Sequence, residues 1–215
     1  MAPADVPSLS ATARVVRGLV LPATVSGNPA LELCNTRAGW GAPDPKEYLQ
    51  SYQHLVVLAA DQALISARAG RQCLGLAATD PSAADSVLRR THRLRGDLYR
   101  VLAGDHEPAL LARVNADLLR GRRGLSLTGV DEQRRASWSA GPVRLSTPLD
   151  AFARAAEDLL ASGSTSVSAC PGHGCGWLFD DPAGRRTWCS MRWCGNRAKV
   201  ARHAARLSLR RPTPS

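Results

Sequence analysis

Apolar positions recur at helical spacing in four stretches of the chain. Tyr48, Tyr52, Leu55, Val56 and Ala59 share one face of a helix that the pattern carries to about Arg68. Asp44-Pro45-Lys46-Glu47 reads as its start, an N-cap acid before a proline with a glutamate three residues beyond the cap. Asp80-Pro81 opens a second helix, in which Val87, Leu88, Thr91, Leu94, Leu98 and Val101 recur and Gly104 marks the end. Leu110, Leu111, Val114 and Leu118 make a third, stopped by Gly121. Thr147-Pro148 begins a fourth, with Leu149, Phe152, Ala153, Ala156, Leu159 and Leu160 inward and Gly163 after it. Leu125–Thr128 and Ser137–Ala140 read as two short strands of a hairpin. Residues 1–29, rich in Ala, Pro, Ser and Thr, read as a loosely ordered leader before Leu31-Glu32-Leu33-Cys34-Asn35-Thr36. The expected fold is mainly α. A helical N-terminal domain with a small β-hairpin spans 30–163, and a small four-cysteine unit ending in a basic helix spans 164–215.

The 215 residues suffice for one large or two small domains, and 44% hydrophobic with 21% charged residues excludes a fully disordered or fibrous chain. No apolar run reaches the roughly 18–20 residues that span a bilayer. Val15 to Val25 is broken by Arg17 and Pro22, so no secretory segment is expected there. The reading is a cytoplasmic protein without a membrane partner. Charge adds a direction: 28 Lys and Arg against 18 Asp and Glu give +10. Residues 170–215 carry +7 of this, and no carboxylate follows Pro182. That asymmetry points to an anionic partner, nucleic acid first.

Four of the six cysteines, Cys170, Cys175, Cys189 and Cys194, form a C-x4-C-x13-C-x4-C pattern. Two tight loops with two thiolates each suit a structural Zn²⁺, which takes four sulfurs at about 2.3 Å in a tetrahedron. Four thiolates would leave −2 on the site, and Arg185, Arg186 and Arg197 lie close enough in sequence to offset it. A pair of disulfides is the competing reading, and His173 could replace one thiolate. Cys34 and Cys73 stand alone and read as buried apolar residues. From Gly195 onward a helix places Lys199, Arg202, Arg206 and Arg210 in one stripe beside an apolar stripe of Val200, Ala204 and Leu207. The apolar stripe would dock on Trp177 or Phe179, leaving the cations for a phosphate backbone. A solvated basic tail with no partner has the same pattern.

A function of another class stays open: a small-molecule carrier or enzyme in the helical domain, with the cysteine unit purely structural. Asn35, Arg37, Trp40, His54 and His92 are its candidate pocket residues, although each also suits an ordinary capping or core role. No Ser/His/Asp set, paired carboxylates or phosphate-binding glycine loop stands out, so a catalytic set is not assigned. Arg-rich helices also bind RNA, but Trp177, Trp188 and Trp193 read as core around the cysteines, not as stacking platforms.

Cys175-Gly-Trp-Leu-Phe-Asp180, Trp188-Cys-Ser-Met191 and Cys194-Gly-Asn-Arg197-Ala-Lys199 resemble the CGNR zinc finger. Glu32-Leu-Cys-Asn-Thr36, the helix Leu94-Arg-Gly-Asp-Leu-Tyr-Arg-Val-Leu102 and the strands near Trp138 resemble the ABATE domain that precedes it. The resemblance implies a bacterial stress-induced transcriptional regulator with Zn²⁺ on Cys170, Cys175, Cys189 and Cys194. It also implies duplex DNA bound by the finger. The helical domain would then sense a small-molecule effector or form a homodimer. One departure is Thr187, where an arginine commonly precedes the tryptophan.

Overall fold

The computed structural model describes residues 12–163 and 166–208. Strands β1 (Ala13–Val16) and β2 (Leu19–Pro22) form an antiparallel hairpin. Helix α1 (Pro29–Cys34) follows, capped by the Asn28 side chain with Pro29 in its first turn. Next come two-residue strands β3 (Arg37–Ala38) and β4 (Lys46–Glu47), paired with each other. Helices α2 (Tyr52–Asp61), α3 (Ala67–Thr79), α4 (Pro81–Leu102) and α5 (Pro108–Gly121) complete the first helical run. Hairpin β5 (Ser126–Val130) and β6 (Ala136–Ser139) leads to α6 (Thr147–Ala161). Strands β7 (Val167–Ala169) and β8 (Leu178–Asp180), a π-helical turn at Met191–Gly195 and α7 (Asn196–Ser208) end the described chain. The class is mainly α, with short hairpins and a four-cysteine C-terminal unit. Among the described residues no helix is long and apolar enough to cross a membrane.

Helix α2 is the centre of the body. Leu55, Val56, Val57, Leu58 and Ala59 are all buried, so every side of its middle turn meets protein. Leu94 of α4, Leu149 and Phe152 of α6 and Leu21 of the first hairpin close around it. A second apolar cluster joins Leu31 and Cys34 of α1 to Leu98, Ala156, Leu159 and Leu178. The strand β8 therefore shares a core with the helical body.

Three expectations need correction. The leader does not extend to residue 29: residues 13–22 form a hairpin whose Leu21 is buried, and Ser26 is buried beyond it. Buried Glu32 holds this entry, its Oε1 accepting from the Val25 and Ser26 N–H groups at 2.8 and 2.7 Å. Residues 1–11 lie outside the described residues. The helix expected from Pro45 starts at Tyr52, because Glu47 is used twice elsewhere. It accepts from the Leu49 N–H and takes a bidentate pair from Arg95, at 2.7 and 2.6 Å. That helix also ends at Asp61 instead of Arg68; Ala63 adopts a left-handed conformation (φ 56°) and Ser66 caps a separate α3.

Candidate metal centre

Two loops bring four sulfurs together. The first closes between β7 and β8: the Cys170 N–H donates to Trp177 O and the Cys175 N–H to Gly172 O, both at 2.8 Å. The second carries Cys189 and the π-helical turn that presents Cys194. The sulfurs of Cys170, Cys175, Cys189 and Cys194 all lie within 4.8 Å of one another. Cys175 to Cys189 and Cys189 to Cys194 are each 3.7 Å. A tetrahedron with metal–sulfur bonds of about 2.3 Å has an edge of about 3.8 Å, so this spacing fits a thiolate-bound ion. Sulfurs 3.7 Å apart are not bonded to one another, and the four cluster together instead of forming two separate bridges, which favours a shared ion over a pair of disulfides. His173 is exposed and stands outside the cluster, so the fourth ligand position belongs to a cysteine.

Protonation supports the same chemistry. Hydrogen bonds from the Cys175 and Cys189 thiols hold Cys170 well below the usual thiol range, while sharing with Cys170 pushes Cys175 up to about 12 and Cys189 upward. One thiolate is thus stabilised by its protonated neighbours, and a divalent cation bound there would replace those protons. The Arg197 guanidinium adds positive charge, donating to Cys194 Sγ at 3.3 Å.

The first loop is fastened to the helical body. Asn35 is fully buried and reads the Leu178 backbone in both directions, accepting from its N–H and donating to its carbonyl at 2.8 Å each. The Gly39 and Trp40 N–H groups donate to Cys175 O, Tyr99 Oη to Gly176 O, and Trp177 Nε1 to Arg37 O. Gly176 has φ +66°, and a Cβ there would stand 2.9 Å from the Trp40 Cβ, so glycine is required for this close approach. Trp40 itself stacks on Tyr99 at 3.8 Å. Trp40, expected as a pocket residue, instead joins Gly39 and Tyr99 in this fastening, a role that the periodic pattern of the sequence does not reveal. The Gly39-Trp40 pair beside the Asn35 motif was the available signal.

The candidate pocket residues do not converge. Asn35, Arg37 and Trp40 belong to this fastening, with Trp40 Nε1 on Cys34 O. The His54 ring meets Ser51 Oγ at 2.8 Å, and His92 Nε2 meets Leu49 O at 3.0 Å. None of the five lines either groove beside α7.

The cations divide into two groups. Arg186 is turned into the finger: it lies over the Phe179 ring at 4.5 Å and donates to the carbonyls of Asp180, Val25 and Cys189. Arg197 faces Cys194. Arg185, Lys199, Arg202 and Arg206 are exposed, the last three on one side of α7. Arg210 lies outside the described residues. The expected docking of α7 through Val200 does not occur; Val200 is 69% exposed, while Trp177 and Phe179 are buried against Tyr48 and the cysteines. Helix α7 stands instead between two grooves, one of about 500 Å³ lined by His173, Trp188 and Arg202, the other of about 620 Å³ lined by Arg192, Trp193 and Val200.

Comparison with protein families agrees with this arrangement. The model of the CGNR zinc finger matches residues 167–207. The ABATE model, described as "Putative stress-induced transcription regulator", matches residues 27–163. No curated protein matches the chain. With a helical body matched over most of its length and a four-thiol finger bolted to it, the chain belongs to the ABATE family and carries a CGNR zinc finger.

Proposed function

We propose that the protein is a zinc-dependent transcriptional regulator that binds duplex DNA through α7, with the helical body as a sensing or dimerising module. The observation that carries this reading is α7 itself. It is rooted on the thiol cluster through Cys194 and Arg197, and residues 199–206 are exposed all round. With Lys199, Arg202, His203 and Arg206 on one side and Val200 and alanines on the other, an exposed helix of this kind gains little from its own protein, and the groove of a polyanion supplies phosphates to its basic side. Lys199, Arg202 and Arg206 would contact phosphates, with Arg185 from the linker; Arg186 and Arg197 hold the finger in shape. Zn²⁺ on the four thiolates fixes the second loop against the first and so aims the helix.

Trp177 is buried among the thiols, and Trp188 and Trp193 are half-buried against them, so none stands free as a stacking platform, which favours a duplex over stacked single strands. Fluorescence anisotropy with a labelled duplex across a salt series tests the reading. Three or four neutralised phosphates give a slope of log K against log salt of about −3. Selection of genomic fragments by the zinc-loaded protein should enrich a sequence, and Cys189→Ser should abolish the enrichment. Salt-independent binding, or enrichment that survives Cys189→Ser, overturns the proposal.

A further inference from the structure

The linker between the cysteine pairs sends one side chain back to the start of the body. Arg186 Nη2 donates to two carbonyls, Cys189 O and Val25 O, and Nη1 donates to Asp180 O. Cys189 supplies one of the four sulfurs, whereas Val25 lies 161 positions before Arg186. Val25 and Ser26 are gripped from the other side by the body. Their N–H groups and the Ser26 hydroxyl all converge on one oxygen, Glu32 Oε1, within 2.8 Å, and Glu32 is 2% exposed on α1. Ser26 O completes the set by accepting the Asp180 N–H at 3.0 Å. Residues 25 and 26 therefore give their donors to the body and their acceptors to the finger. A continuous route of hydrogen bonds runs from a buried carboxyl group in α1, through two backbone units, to the carbonyl of a metal-binding cysteine.

We infer that Glu32 and Arg186 are positioning residues for the metal centre, through which the helical body sets the place of Cys189 and so the closing of the thiol cage. The inference rests on the four thiols holding an ion, and it is independent of the nucleic-acid reading. Cys189 is the ligand where such control counts. Its sulfur is 3.7 Å from that of Cys175 in the first loop and 3.7 Å from that of Cys194 at the root of α7. The chemistry of the bridge suits its task. A planar guanidinium reaches carbonyls in several directions while lying over Phe179, 4.5 Å from the ring centre, which an ammonium cannot copy. Without this bridge the ion has to order the Cys189 loop itself, and its observed affinity falls. The coupling is reciprocal: a body that tightens metal binding is itself tightened, at residues 25 and 26, when the ion arrives.

Chelator competition with the full-length protein tests the inference, read for Zn²⁺ by a chromogenic chelator and for Co²⁺ by the thiolate–cobalt absorption band. Arg186→Gln should lower affinity about tenfold, the low end of what the hydrogen-bonding partners of a ligand carry, because Arg186 also meets water. Arg186→Lys should not restore it. Glu32→Ala should act in the same direction from outside the finger, and Glu32→Gln, which keeps an acceptor oxygen, should recover most of the loss. In the Arg186→Gln background, Glu32→Ala should add little, since the route is already cut. Hydrogen exchange of residues 25 and 26 gives a readout that needs no change at Glu32: Zn²⁺ should slow it in the unmodified chain and not in Arg186→Gln. Unchanged affinity in Arg186→Gln, or exchange at residues 25 and 26 that does not respond to the ion, overturns the inference. A Glu32→Ala effect that persists in full in the double variant overturns it too. An unmodified chain that takes up neither ion overturns the metal reading itself, and the inference with it.

Discussion

Gly172 has no room for a side chain. A Cβ there would stand 2.9 Å from Cys194 Sγ and 3.4 Å from Cys170 Sγ, so the loop backbone passes directly beside two ligands. Gly172→Ala should force those sulfurs apart, at the roughly 1–3 kcal/mol typical of overpacking, and lower metal affinity by about tenfold or more in chelator competition. Glu47 is the second residue with a sharp consequence. Burial raises its carboxyl, but hydrogen bonds and charge from Arg95 outweigh that and hold it below the usual carboxylate range. A depressed carboxylate contributes stability above its unfolded pKa and loses it as pH falls through the folded value. Glu47→Gln should therefore flatten the acid limb of melting temperature between about pH 5 and 3. At neutral pH it should cost about 2–3 kcal/mol, less than a fully buried pair, because one carboxylate edge meets water. The guanidinium it abandons is 4% exposed.

At the scale of elements, helix starts were legible where a proline follows a capping side chain. Asp80 caps Ala83 N ahead of Pro81, as its sequence announces. The same signal misled at Asp44-Pro45, because a long-range ion pair to Arg95 draws Glu47 into a strand, and no local pattern encodes a partner 48 residues away. The break between α2 and α3 was hidden for a different reason. It turns on Ala63, a residue with no special left-handed tolerance, in a stretch without proline or glycine. The four thiols were legible from spacing alone, whereas the fastening of their first loop depends on backbone carbonyls, which any residue offers. Asn35 is the exception, a side chain that makes both bonds of a strand neighbour. Asn35→Ala should leave the Leu178 N–H and C=O buried without partners and cost about 2–4 kcal/mol, measurable by chemical denaturation.

The whole molecule holds its two cysteine loops unequally. Gly39, Trp40, Tyr99 and Asn35 grip the first loop and its strand. The second meets the body through Arg186 and a small apolar cluster around Trp188 and Trp193. Removing the metal should therefore free residues 189–208 while the first loop stays docked. Hydrogen exchange after chelation should rise in that segment and change little in α2, α4 and α6. Net charge follows the same division, since the freed segment, with five cations and no carboxylate, holds half of the basic surplus.

The Asn35 clamp joins positions 143 residues apart, and this has a consequence for synthesis. On the ribosome the helical body emerges well before Leu178, so its dock for β8 is finished before the cysteines appear. The first two thiols then arrive on a prepared seat and need only the last two to complete the cage. A nascent chain interrupted before Leu178 leaves the Asn35 amide to water and uncovers the apolar cluster of Leu31, Leu98 and Leu159 that Leu178 closes.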